Sequence, residues 1–197
     1  GEDLNDLPTS TEVAGDQSML IMPTGPADEL ESCAIAFDDV IGQSQKRLWI
    51  VSPYFVPDLS METALFAAQM RGVDVRVLIP EKPDHRIVWL ASIAYANRMV
   101  KHGIDIYRYP SGFLHQKVIL VDDKIAGVGT VNFDNRSFRI NFEITMWFTG
   151  EKVVKEVEKM LRKDFSTADK VEKAVPGSQG IVMRFLTQSA RLLSPIL

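Results

Sequence analysis

Two patterns alternate along the chain. Short runs of branched apolar residues mark buried strands, and segments with apolar positions every three or four residues mark helices. Met19–Met22 reads as a short strand, stopped by Pro23-Thr24-Gly25-Pro26, with a helix over about Asp28 to Gln43. Arg47–Tyr54 reads as a buried strand and Ser60–Arg71 as a helix, with Ser60 as N-cap and Gly72 as stop. Val73–Ile79 is a strand. Asp84–Lys101 is a longer helix capped by Asp84 and ended by Gly103, and Ile104–Tyr109 is again a strand. After the turn signal Pro110-Ser111-Gly112 come three strands in succession: Gly112–Val121, Ile125–Val131 and about Arg139 to Phe148. A charged amphipathic helix spans Glu151 to about Phe165, and a Pro176-Gly177-Ser178 break precedes a last helix near Ile181 to Leu193. Alternating helices and apolar strands predict an α/β layer fold, and the consecutive strands after Tyr109 make its sheet mixed. The chain shows no internal repeat and no low-complexity tract.

At 197 residues the chain is one domain, or one with a tail, and long enough for a sizeable core. Residues 1–17 are polar, acidic and broken by Pro and Gly, and read as a linker preceding a domain over 18–197. The single cysteine, Cys33, falls in a predicted amphipathic helix, has no partner for an internal disulfide, and has nothing nearby to activate it. No apolar run approaches the roughly 18 to 20 residues a membrane span requires, so any membrane contact by this segment is peripheral.

Charge is unevenly distributed. Residues 1–45 hold ten Asp and Glu and no Lys or Arg, whereas the remainder is net +6, within a total of −4. The larger part is thus mildly basic, which suits anionic lipid headgroups and nucleic acid equally.

The densest chemistry lies in HQKVILVDDKIAGVGTVN, where His115, Lys117, Asp122, Gly129, Thr130 and Asn132 form the phrase H-x-K-x4-D-x6-G-T-x-N. Six fixed positions at roughly one in twenty each arise by chance in well under about one in a million windows. On a strand, His115 and Lys117 project from one face, and Asp122, of opposite parity, points away and takes a structural role as ion pair or turn cap. Gly127 and Gly129 let backbone approach closely under a phosphate. Glu143 shares a face with Asn141 and Thr145 and is the carboxylate expected to hold the second ring N–H of His115. Lys117 and Asn132 are placed to neutralise phosphate oxygens as charge builds, so no metal is expected. Tyr54 and Phe55, following a buried strand, are candidate pocket residues.

This phrase resembles the HKD motif of the phospholipase D superfamily. Beyond it, Ser52-Pro53-Tyr54-Phe55-Val56-Pro57-Asp58, Pro83-Asp84-His85-Arg86, Gly112-Phe113-Leu114-His115, Asn132-Phe133-Asp134-Asn135-Arg136-Ser137, Asn141-Phe142-Glu143 and the ending Leu192-Leu193-Ser194-Pro195-Ile196-Leu197 resemble bacterial cardiolipin synthases. The match covers roughly residues 18 to 197 and implies a phospholipase D-like layered fold, a mixed β-sheet flanked by helices on both faces.

The resemblance implies phosphatidyl transfer without a cofactor. One phosphatidylglycerol gives its phosphatidyl group to a histidine and releases glycerol; a second attacks the phosphohistidine and yields cardiolipin. Such synthases carry two HKD motifs, and this chain has one, since His85 and His102 lack a Lys two residues later. The chain therefore reads as the carboxy-terminal half, in which His115 is expected to be the general acid and base. The resemblance further implies His115, Lys117, Asn132, Glu143 and Thr130 as catalytic residues, Asp122 and Gly129 as structural ones, and Tyr54, Phe55, His85 and Arg136 as substrate contacts.

The expected partners are phosphatidylglycerol and other anionic phospholipids, a membrane surface, and an amino-terminal half or second copy of this chain. Nucleic acid is not expected, and the full-length protein is placed at the bacterial cytoplasmic membrane. Two alternatives stay open: hydrolysis by a homodimer, as a phospholipase D or nuclease, and a non-catalytic half-site that docks on its partner. Apolar surface beside the motif strands would mark the latter. The segment from Ile181 to Leu197 pairs Arg184 and Arg191 with a broad apolar face, which fits core or subunit packing or an interfacial membrane contact.

Overall fold

In the computed structural model, residues 15–82, 84–110, 112–175 and 178–194 are described. Most of the acidic stretch, Pro83, Ser111, the Pro176-Gly177 break and the last three residues lie outside them. The elements are β1 (Met19–Thr24), α1 (Ser32–Gly42), β2 (Arg47–Val51), β3 (Phe55–Val56), α2 (Leu59–Met70), β4 (Asp74–Pro80), α3 (Arg86–Lys101) and β5 (Asp105–Tyr109). There follow β6 (Val118–Val121), β7 (Ile125–Gly129), β8 (Phe133–Asp134), α4 (Asn135–Arg139), β9 (Glu143–Phe148), α5 (Glu151–Thr167), β10 (Asp169–Lys170) and α6 (Ile181–Arg191).

Eight strands form one mixed sheet in the order β1-β9-β7-β6-β2-β4-β5-β10. Strands β2, β4 and β5 run parallel, as helical crossovers require, and the remaining pairs are antiparallel. Both faces are covered. Leu48 and Ile50 of β2 join the core beneath α1, α2 and α3, while Trp49 and Val51 pack with Val154, Val157, Leu161 and Phe165 of α5. This strict alternation on an apolar strand produces the helix–sheet–helix sandwich.

Several boundaries differ from the sequence reading, each for a local reason. Helix α2 is capped by Asp58, whose Oδ1 accepts from Met61 N at 2.8 Å; Ser60 lies inside the helix and donates to Asp38 instead. Helix α3 begins at Arg86. Asp84 does not cap it, because its carboxylate accepts from Tyr54 Oη at 2.5 Å and His85 N at 2.7 Å. The expected long strand over Gly112–Val121 pairs only from Val118, which lies opposite Val51 of β2 and Val128 of β7. The partner strands end there, so residues 113–117 run past the sheet.

Arg139–Asn141 is not strand. Asn135–Arg139 form α4, capped by Asp134, whose Oδ1 accepts from Ser137 N at 2.8 Å. Helix α6 buries Thr187 and Ala190, and its large apolar side chains stay outside the core.

Candidate active site

The carboxy ends of β2, β4 and β7 and the amino ends of β6 and β9 fall at one edge of the sheet, because Val51, Leu78, Val118 and Val128 are neighbours across the ladder. Chain that overshoots paired strand at this edge carries the polar side chains. Such a crevice outside the strand ends is where α/β sheets place ligands.

His115 lies on the unpaired approach to β6, exposed, with its ring stacked on Phe113 at 5.0 Å and 16°. Lys117, two residues on, folds its Nζ back to donate to the His115 carbonyl at 2.9 Å. That hydrogen bond ties the two residues into one rigid unit. Burial pulls Lys117 below the usual lysine range, against the opposing pull of Glu143, Asp84 and Asp134. Its ammonium is thus partly stripped of water, which strengthens its attraction for an anion.

Beyond β7, Gly129 N donates to Lys117 O at 3.2 Å, and Thr130 bridges to β9. Thr130 N donates to Ile144 O at 2.9 Å, and Thr130 Oγ1 accepts from Ile144 N at 2.9 Å. The Thr130 hydroxyl thus braces the loop against β9. Asn132 follows, with a buried Oδ1 that has no hydrogen-bond partner among the described residues. Glu143 starts β9 opposite Thr24 and accepts from Asn141 Nδ2 at 3.2 Å. The expected His115–Glu143 hydrogen bond is not formed among the described residues; Asn141 occupies the carboxylate and the His115 ring turns toward Phe113.

Asn132 opens on a cavity of about 270 Å³ lined also by Tyr54, His85, Val88, Asp134, Arg136 and Asn141. Tyr54, His85 and Arg136 are thus brought together as expected substrate contacts would be. Burial, then the hydrogen bond to Asp84, pushes the Tyr54 phenol well above its ordinary range. Phe55 does not belong with them: it is fully buried and stacked on Phe133 at 5.5 Å and 18°. The whole of the short strand β3 is buried, Val56 included, so Phe55 is core. Arg136 makes no ion pair with Asp134, whose carboxylate caps α4 instead.

Asp122 sits at the other end of β6, away from the cavity. At φ 52° it turns β6 into β7, and its Oδ1 accepts from Lys46 N at 2.7 Å and Arg47 N at 3.0 Å. Burial would raise this carboxyl, but the backbone N–H groups of Arg47, Lys46 and Gln45 hold it below the usual carboxylate range. Its position in the motif is structural: it locks β6 to the start of β2. Among the described residues, no cluster of three or more His, Cys, Asp or Glu side chains could hold a metal ion.

A family model described as "Cardiolipin synthase, PLD-like domain" matches residues 37–165, a span that contains every residue of this site. This chain belongs to that family. Cardiolipin synthase A of Pseudomonas fluorescens (strain SBW25) is 46% identical over 177 residues, covering 90% of this chain and 37% of the relative. Cardiolipin synthase A of Pseudomonas putida is 47% identical over 176 residues, with 89% and 37% covered. The chain thus spans little more than a third of the length of these curated relatives. In fold, it is similar to phosphatidylserine synthase of Haemophilus influenzae Rd KW20 (TM-score 0.75, 17% identity, 98% of this chain and 51% of that one). It is similar also to NUC, a phospholipase D family member from Salmonella typhimurium (TM-score 0.66, 22% identity, 79% of this chain and 99% of that one).

The geometry of this site also brings in residues that do not stand out in the sequence. Ser52 Oγ accepts from Phe133 N at 2.9 Å and donates to Tyr54 O at 2.7 Å, so one hydroxyl joins the loop after β2 to the residue beside Asn132. Ser92 of α3 holds the same loop by accepting from Phe55 N at 3.1 Å. Asp134 lines the cavity with a carboxyl raised by burial, despite its hydrogen bonds from Ser137. In the sequence Ser52 stands at the start of a stretch that resembles the family, but as a polar residue ending an apolar strand it carries no sign of its hydrogen bonds to Phe133 and Tyr54.

Proposed function

We propose that this domain is the carboxy-terminal half of a cardiolipin synthase that transfers a phosphatidyl group between two phosphatidylglycerol molecules. The observation that carries this reading is the openness of the site. His115 stands exposed with its ring stacked on the equally open Phe113 (66% exposed), while Lys117 and Asn132 stay partly buried. A reactive histidine left open beside an exposed aromatic ring favours a site that a further part of the protein covers, and the relatives are nearly three times as long.

In this reading the nucleophilic histidine belongs to the other half. Its ring nitrogen attacks phosphorus and the P–O bond to glycerol breaks. Protonated His115 delivers its proton to the departing glycerol oxygen. The neutral ring then takes the proton from a hydroxyl of the second phosphatidylglycerol as that oxygen attacks phosphorus and the P–N bond breaks. Lys117 supplies positive charge to the phosphoryl oxygens and Asn132 an amide N–H, both pre-set by the backbone. Tyr54, His85 and Arg136 line a cavity sized for a glycerol headgroup. Glu143 takes hold of the His115 ring once the facing half moves it off Phe113.

Two-chain protein containing both halves is the material for the test. Cardiolipin formation and glycerol release are measured on phosphatidylglycerol vesicles, with His115→Ala as control. Formation of both products that His115→Ala abolishes supports the transfer; release of phosphatidic acid instead, with water as acceptor, overturns it in favour of hydrolysis.

A further inference from the structure

Helix α6 is built with its apolar face outward. It buries Thr187 and Ala190, while Ile181 (87% exposed), Val182, Phe185 (71%), Leu186, Leu192 (81%) and Leu193 stand open. At 3.6 residues per turn, Thr187 and Ala190 occupy one side, Ile181 and Phe185 face away from them, and Val182 and Leu186 lie on the flank between. The buried side rests on α3, where the Arg191 guanidinium lies 5.3 Å from the centre of the Tyr95 ring. An apolar face of this extent marks a contact surface.

Its rim is cationic. Arg184 of α6, Lys101 at the end of α3 and Lys173 line a cavity of about 310 Å³ with no carboxylate in its wall. From Ser178 to Ser194 the chain has no Asp or Glu, and none of these three cations forms an ion pair among the described residues.

We propose that α6 docks the protein on an anionic lipid bilayer. Its apolar face lies among the acyl chains in the plane of the interface, and Lys101, Lys173 and Arg184 meet headgroup phosphates. Charge selects this occupant over a second copy of the chain. A two-fold contact would bring the same cations against each other, whereas an anionic surface neutralises them. Helix α3 joins this face to the active site: its first turn carries Val88 at the Asn132 cavity and its second half lies under α6. The cavity therefore lies within one length of α3, about 24 Å, of the headgroups. Helix α6 is outside the span that the family model matches, and the docking does not rest on the transfer reading.

The test uses Phe185→Trp, a conservative change at an exposed position, read as a difference from the wild-type emission of the three native tryptophans. Phosphatidylglycerol vesicles are expected to shift the new emission to the blue, with quenching by brominated acyl chains. Phosphatidylcholine vesicles and high salt should weaken both effects. Phe185→Glu and Leu192→Glu are each expected to reduce vesicle partitioning at least about tenfold with unchanged circular dichroism and melting temperature. Lys173→Glu with Arg184→Glu should remove the preference for phosphatidylglycerol. His115→Ala should bind as wild type does, which separates docking from substrate capture. Vesicle binding without quenching of the Phe185→Trp indole would overturn the proposal. So would a dimer that Phe185→Glu dissociates in a chain that ignores vesicles.

Discussion

Gly129 runs so close to Ile144 that a β-carbon on it would stand 2.1 Å from the Ile144 carbonyl oxygen. The obstacle is backbone of β9, tied to the same loop through Thr130, so it has nowhere to yield. Gly129→Ala is expected to destabilise the chain by about 2–3 kcal/mol, seen as a lower urea midpoint at unchanged slope. A variant as stable as wild type would show that β9 can move away.

Asp122 links stability to pH. Its folded value is depressed, so its contribution is fully present above the unfolded value, about 3.9, and is lost as pH falls through the folded value. Asp122→Asn should cost about 2 kcal/mol at neutral pH, and its deficit against wild type should shrink below about pH 4. Urea midpoints at pH 7 and pH 3 give the comparison; a gap that does not narrow in acid contradicts it.

Ser52 positions the loop that carries Asn132. Without its hydroxyl, the buried Phe133 N–H loses its acceptor. Ser52→Ala is expected to cost about 1–3 kcal/mol and, in protein with both halves, to lower turnover. Ser52→Thr, which keeps the hydroxyl, should restore part of the activity lost. Equal activity in all three proteins would remove Ser52 from the site.

Lys117→Ala should lower turnover in the two-half enzyme by about 10²–10³-fold, the usual effect of removing one stabilising donor. Lys117→Arg should not rescue it, because a guanidinium fork cannot repeat the fold-back onto the His115 carbonyl. The role fails if Lys117→Ala keeps a tenth of wild-type activity on well-folded protein.

Cys33 is buried, and burial pushes its thiol up to about 11. A disulfide reagent at neutral pH should label native protein only at the rate of unfolding and should react promptly in denaturant. Rapid labelling of the native chain would mean that α1 opens locally.

Much of this fold was legible in the sequence because its cause is local. The apolar runs Leu48–Val51, Val75–Ile79 and Val118–Val121 have no other solution than buried strands, and the stops at Gly72 and Gly103 adopt φ +84° and +82°. Helix α4 is hidden in the sequence because RSFRINFEITMWF continues the alternation of the strand after it. What breaks that strand is the Asp134 carboxylate turned onto Ser137 N, a choice invisible to periodicity. Asp84 and Ser60 look like caps in the sequence and are not, for the same kind of reason: each has a stronger partner from another element, Tyr54 and Asp38.

The sequence by itself determined the family, the layered α/β architecture and the motif from His115 to Asn132, since these depend on residue type, spacing and short-range pattern. Only the tertiary structure decided which residues line the cavity and which hold the frame. Asp122 and Thr130 bond backbone far away in the chain, Phe55 enters the core, and Ser52 gains a place in the site through a contact 81 residues distant. The tertiary structure also decided the role of α6. Amphipathic spacing specifies that a helix has an apolar side, but whether that side meets the core or the exterior depends on what α3 offers it, and α3 accepts Thr187 and Ala190.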